Sequence, residues 1–156
     1  MSRTLSRRQL LIELSAVAVA QSVLFRNAGA QTGTPIDVYK NPSCGCCRGW
    51  VKHMEANGFT AKVTDTDDVA AIKKQHHVDA KLQSCHTTLV AGYVVEGHVP
   101  AGDVRRLLKE KPKVVGLTIP GMPQSAPGMD GKPFQPYEVL SFDASGKTTV
   151  FAKHEN

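Results

Sequence analysis

Pro35-Ile36-Asp37-Val38-Tyr39-Lys40-Asn41-Pro42-Ser43-Cys44-Gly45-Cys46-Cys47 decides how this chain folds. Ile36 and Val38 alternate with polar neighbours, the period of a short strand. Asn41-Pro42-Ser43 is turn chemistry, and Ser43 or Cys44 is placed to begin a helix. Trp50, Val51 and Met54 then recur at helical spacing, so the stretch runs strand, turn, helix with three cysteines at the turn. Asn57-Gly58 offers a stop in a residue free to take positive φ.

Working outward, Phe59–Val63 reads as a second strand, and Asp65-Thr66-Asp67-Asp68 caps a helix expected over Val69–His77. Thr87–Ala91 and Tyr93–Glu96 read as two strands joined at Gly92 or through a bulge there. Pro100-Ala101-Gly102-Asp103 introduces a helix over Val104–Lys109, stopped before Pro112. The order is β-α-β-α-β-β-α. A helix between the first two strands predicts parallel pairing, and the short link between the next two predicts antiparallel pairing. This order, with Cys44-x-x-Cys47 where the first strand becomes the first helix, resembles the thioredoxin fold over about residues 35–111: an α/β fold in three layers with a mixed sheet.

From about residue 113 an extension departs from that pattern. Residues 113–137 are rich in proline and glycine and hold Met122 and Met129 in Gly121-Met122-Pro123-Gln124-Ser125-Ala126-Pro127-Gly128-Met129, too long a loop for a mere connector. Tyr137–Phe142 and Thr148–Phe151, with a turn at Asp143–Gly146, read as a terminal β-hairpin.

Residues 1–30 have the order of an export signal: Arg7-Arg8, an apolar run from Leu10 to Phe25, then Ala28-Gly29-Ala30 before Gln31. The paired arginines and late Arg26 resemble a twin-arginine signal. The apolar run is short for a membrane span. Residues 31–156 are then a single mature domain in an oxidising, periplasmic compartment, with no stable membrane insertion. The full chain has net charge +5; without its first 30 residues it keeps 15 basic against 13 acidic side chains. No dense basic stripe marks a nucleic-acid surface.

Every thiol lies in one of two motifs: Cys44, Cys46 and Cys47, or Cys85 beside His86. A thiolate at a helix N-terminus is stabilised by the free N–H groups and the dipole, so Cys44 and Cys47 are candidates for a disulfide-exchanging pair. Cys46 is a third, competing thiol. Soft sulfur donors in this density favour Cu(I), with zinc as the alternative ion. Purely structural bridges are the third reading. In a thioredoxin-like fold Cys85, His86 and Thr87 face the Cys44–Cys47 turn. Redox proteins of that fold carry a cis-proline there; this chain has His86 or Thr87 instead.

Asn41–Cys47, Ser84-Cys85-His86-Thr87, Gly92–Pro100 and Gly121–Met129 together resemble the exported, thioredoxin-like CopG-type copper-resistance family over about residues 35–152. The resemblance implies a periplasmic copper-binding protein contributing to copper resistance, with Cu(I) held by Cys44, Cys46, Cys47 and Cys85, and His86 and His98 as weaker carry-overs. Met122 and Met129 are soft-donor candidates or a lid. Several bound copper ions, copper redox chemistry, and exchange with periplasmic copper carriers or efflux components are compatible with it. The rival is a thiol-disulfide oxidoreductase using Cys44 and Cys47.

Other polar residues read as ordinary. His53 is expected on a solvated helix face, His76-His77 at a helix end, and His154 free near the terminus. Glu96 and Asp103 read as surface and cap residues, while Trp50 and Met54 read as core.

Overall fold

The computed structural model describes residues 33–129 and 131–155; the export-signal reading of residues 1–30 lies outside them. Seven strands form one mixed sheet in the order β2-β1-β3-β4-β5-β6-β7. The elements run β1 (Thr34–Lys40), α1 (Gly45–Ala56), β2 (Phe59–Asp65), α2 (Val69–Gln75), a 3-10 turn (Ala80–Leu82), β3 (His86–Val90), β4 (Tyr93–Glu96), α3 (Ala101–Glu110), β5 (Gly116–Thr118), β6 (Tyr137–Phe142) and β7 (Thr148–His154).

The expected pairings hold. β1 and β2 are parallel, joined through α1, and β3 and β4 are antiparallel. Val90 faces Tyr93, so Ala91 and Gly92 form a two-residue turn, both with positive φ. That geometry matches the strand twist and replaces the bulge considered from sequence. α2 ends at Gln75, earlier than expected, and His76 and His77 leave it, His77 at φ 57°.

Hydrophobic burial explains the layering. Trp50, Val51 and Met54 of α1 and Val104 and Leu107 of α3 pack with Ile36, Val38, Val90 and Val95 of the sheet. Val94, the neighbour of Val95, points the other way and packs with Val78, Leu82 and Phe142. Successive strand residues face opposite sides, so both faces of the sheet are covered. This is the thioredoxin-like α/β arrangement in three layers, and Trp50 and Met54 are core as expected, both fully buried.

The stretch 113–137 is not one unbroken loop. Gly116–Thr118 forms β5, parallel to β4 after the α3 crossover. β6 then pairs with β5 and β7 with β6. The terminal hairpin therefore continues the same sheet. Among the described residues no helix is long and apolar enough to cross a membrane.

Candidate metal centre

The start of α1 is built by local hydrogen bonding. Asn41 Oδ1 accepts the Ser43 N–H at 2.9 Å, and the Asn41 carbonyl accepts the Cys44 N–H at 3.0 Å. Cys44 is the N-cap, its sulfur accepting from the Cys47 N–H at 3.3 Å. A sulfur in this position takes one of the helix's orphan donors and sits at the positive end of the dipole. Cys44 and Cys47 are joined as a disulfide, whereas Cys46 and Cys85 are free. Cys46 Sγ lies 3.5 Å from Cys44 Sγ. Cys47 is fully buried and the other three cysteines are half-buried.

The second motif arrives across the sheet. β1 and β3 are antiparallel with Lys40 opposite His86, so His86 opens β3 next to the start of α1. Its ring lies against Trp50, centroids 4.4 Å apart, and meets the edge of His98 at 5.1 Å. Cys85 Sγ is 3.3 Å from His86 Nδ1 and 3.0 Å from His98 Nε2. Two overlapping groups result: Cys44, Cys46, Cys47 and Cys85, and Cys47, Cys85, His86 and His98, each with its donor atoms within 4.8 Å of one another. Cys47 and Cys85 belong to both. All six cysteine and histidine candidates are thus brought together.

Two features aim His98. The Trp50 indole N–H donates to the Val99 carbonyl at 2.9 Å, tying the His98 loop to α1. His98 Nδ1 donates to the Pro127 carbonyl at 2.7 Å. A carbonyl only accepts, so Nδ1 carries the proton and Nε2 turns a lone pair toward Cys85. The Pro127 carbonyl is held there by close packing of the Gly/Pro loop on α1. A Cβ on Gly49 would sit 3.0 Å from Gly128 Cα, and one on Gly128, at φ 84°, would run into Trp50 N and the Cys46 carbonyl. The methionines of this loop are placed differently: Met129 packs against the core and Met122 is exposed.

The electrostatics favour neutral donors. Burial holds the His86 ring well below the ordinary histidine range, reinforced by His98, Lys73 and Lys40. Burial also lowers His98, against the pull of its bond to Pro127. Burial, then the neighbouring Cys46, pushes the Cys85 thiol up to about 12. His86 Nε2 is buried with no hydrogen-bond partner among the described residues. Neutral imidazoles beside the Cys47 and Cys85 sulfurs fit a soft cation.

Comparison with solved structures returns two chains described as copper resistance protein CopG, forms 1 and 2. The first is 40% identical at a TM-score of 0.74, covering 80% of this chain and 99% of that one; the second is 41% identical at 0.73, covering 78% and 98%. The chain belongs to the CopG family. Residues 82–129, which carry Cys85, His86, His98 and Pro127, also match the family described as protein of unknown function DUF411. No curated protein matches.

In this CopG-family chain several residues read as ordinary from sequence have defined work. His53 is not on a solvated face: its Nε2 accepts the Ala101 N–H at 3.1 Å, capping α3 from α1. His154 is not free but bonds Asp103 at 2.7 Å and stacks on Tyr137. Asp103 does lie in the first turn of α3, but it is buried. Glu96 is not a surface residue; it is fully buried and paired with Lys73. Pro127 was hidden because a main-chain carbonyl leaves no mark in a side-chain motif. Its one sequence signal is the Pro-Gly step between the two methionines.

Proposed function

We propose that the protein, exported to the periplasm, binds Cu(I) in its reduced form and contributes to copper resistance by buffering or passing on the ion. Cys44, Cys46, Cys47, Cys85, His86 and His98 are the ligand set. The observation that carries this is the meeting of four sulfurs and two imidazoles in two groups that share Cys47 and Cys85. Soft thiolate donors select Cu(I), and shared sulfurs suit a cluster of more than one ion. Copper is cargo in this reading, drawn from and returned to other periplasmic carriers or efflux components. Zinc also accepts sulfur and imidazole, but as a four-coordinate ion it uses only part of this set. The family assignment supports the reading, since the relatives are described as copper resistance proteins.

The closed Cys44–Cys47 disulfide sets a condition. Thiolates, not disulfide sulfurs, are the ligands, so loading requires its reduction. Anaerobic Cu(I) titration of the reduced mature protein, with elemental analysis, is the test. The expected result is uptake of more than one ion, reduced in Cys46→Ser and reduced further when Cys44–Cys47 is left oxidised. No uptake by the reduced parent would sink the proposal. The same disulfide favours a second reading, thiol-disulfide exchange through Cys44 and Cys47. Reduction of a peptide disulfide that persists after full copper loading would support that reading.

A further inference from the structure

Glu96 is fully buried on β4, and Lys73 of α2 reaches it through the face of the sheet opposite α1. A buried ion pair is a poor source of stability, because desolvation offsets the attraction. Its use lies in what it holds. Glu96 Oε1 accepts the Ser84 N–H at 2.6 Å and also bonds Lys73 Nζ. Glu96 Oε2 accepts the Thr87 hydroxyl at 2.7 Å, and that hydroxyl in turn accepts from Lys73 at 3.1 Å. Ser84 and Thr87 are the residues on either side of Cys85-His86. The carboxylate therefore fastens both ends of that dipeptide from behind the sheet.

The main chain completes the hold. The Gly97 N–H donates to the His86 carbonyl at 3.0 Å. Gly97 has φ 76°, and a Cβ there would run into the Ser84 side chain, so glycine lets Ser84 close onto the carboxylate. Successive strand residues alternate in facing: Thr87 turns to Glu96 and Lys73, while His86 turns to Trp50 and His98. Anchoring Thr87 on one face thus sets the height and direction of His86 on the other.

The geometry points to Glu96, braced by Lys73, as a positioning residue that aims Cys85 Sγ and the His86 ring at the Cys47–His98 side of the metal centre. The inference rests on the Cu(I) reading above. Residues that orient metal ligands are worth about 10–100-fold in affinity. Glu96→Ala removes both anchors. The double variant Lys73→Met/Glu96→Gln keeps them, because an amide oxygen accepts the Ser84 N–H and the amide N–H donates to Thr87, with no charge left unpaired.

Cu(I) affinity is measured by competition with a chromogenic Cu(I) chelator on the reduced proteins. Glu96→Ala is expected to bind at least about tenfold more weakly than the parent. The double variant is expected to bind within a fewfold of it. Val104→Ala, a core truncation on α3, controls for lost stability and is expected to keep parent affinity. Parent-like affinity in Glu96→Ala, or an equal loss in the double variant and Glu96→Ala, would overturn the inference.

A second arm needs no metal. Amide hydrogen exchange at Ser84 in the metal-free protein is expected to speed up at least about tenfold in Glu96→Ala and to stay near parent in the double variant. Should Glu96→Ala fail to fold, Lys73→Met/Glu96→Leu, which removes both anchors and leaves no charge unpaired, is compared by the same exchange, with faster exchange at Ser84 expected. An unchanged Ser84 rate in the variant compared would overturn the clamp. If the parent takes no Cu(I), the copper proposal fails while the clamp is still decided by exchange.

Discussion

Cys85 is protonated at neutral pH, because burial and the nearby Cys46 sulfur raise its thiol to about 12. A metal that takes this sulfur must displace the proton. Copper loading is therefore expected to acidify a weakly buffered solution. The apparent affinity should rise with pH by about tenfold per unit for each proton displaced. Titration of the reduced protein with Cu(I) at two pH values checks both, and Cys85→Ser should release one proton fewer. Equal proton release in parent and variant would remove Cys85 from the ligand set. Gly128 makes a second residue-level case. Its positive φ and its fit against Trp50 and Cys46 leave no room for a side chain. Gly128→Ala should lift the loop from α1, free the Pro127 carbonyl from His98, and lower stability by about 1–3 kcal/mol. Chemical denaturation gives the stability, and imidazole nitrogen shifts report whether His98 still carries its proton on Nδ1.

At the scale of elements, α3 begins without a side-chain cap of its own, since its N-cap is Pro100. The acceptor comes from His53, near the end of α1. Only a neutral ring can accept there. Burial and then Arg105 lower the His53 pKa below the ordinary value of 6.5. Between those two values the unfolded chain binds more protons than the folded one, so stability rises with pH. The contribution is full above about pH 6.5 and is lost as pH falls through the unfolded value toward the folded one. Comparing thermal unfolding of parent and His53→Ala isolates this histidine from the buried His86 and His98, which titrate in the same direction. A deficit of about 1 kcal/mol is expected at pH 8, and a smaller one at pH 5. A deficit that grows on acidification would contradict the cap. His53 was not readable in advance because its partner is 48 positions away. Helical spacing correctly placed Trp50 and Met54 in the core, but it says nothing about what a polar side chain meets on another element.

For the whole molecule, the strand and helix order is readable because β1 alternates with a period of two, α1 repeats at about 3.6, and β3 and β4 are runs rich in β-branched residues broken at Gly92. β5 was not, being three residues that carry no period. The Glu96–Lys73 pair was not either, since 23 positions separate its members and only sheet register and helix placement make them meet. The cysteines were legible because residue type alone restricts their chemistry. The terminal hairpin is legible as a hairpin, but its pairing with β5 is not, and that pairing has a mechanical consequence. β6 and β7 close the sheet against β5, and Val139 and Phe142 are buried in the cores on its two faces. Arg106 of α3 lies over the Phe151 ring at 3.7 Å and bonds the Phe151 carbonyl, while Asp103 bonds His154. Val139 and Phe142 alone account for about 1.5–3 kcal/mol each of burial, against a typical total of about 5–15 kcal/mol. Truncation after residue 136 is therefore expected to unfold the domain rather than trim it. It would also loosen α3, whose N-terminus His53 caps. Circular dichroism and denaturant titration of the truncated chain would show no cooperative transition. A truncated chain with a parent-like midpoint would mean that the hairpin only decorates a self-sufficient five-stranded core.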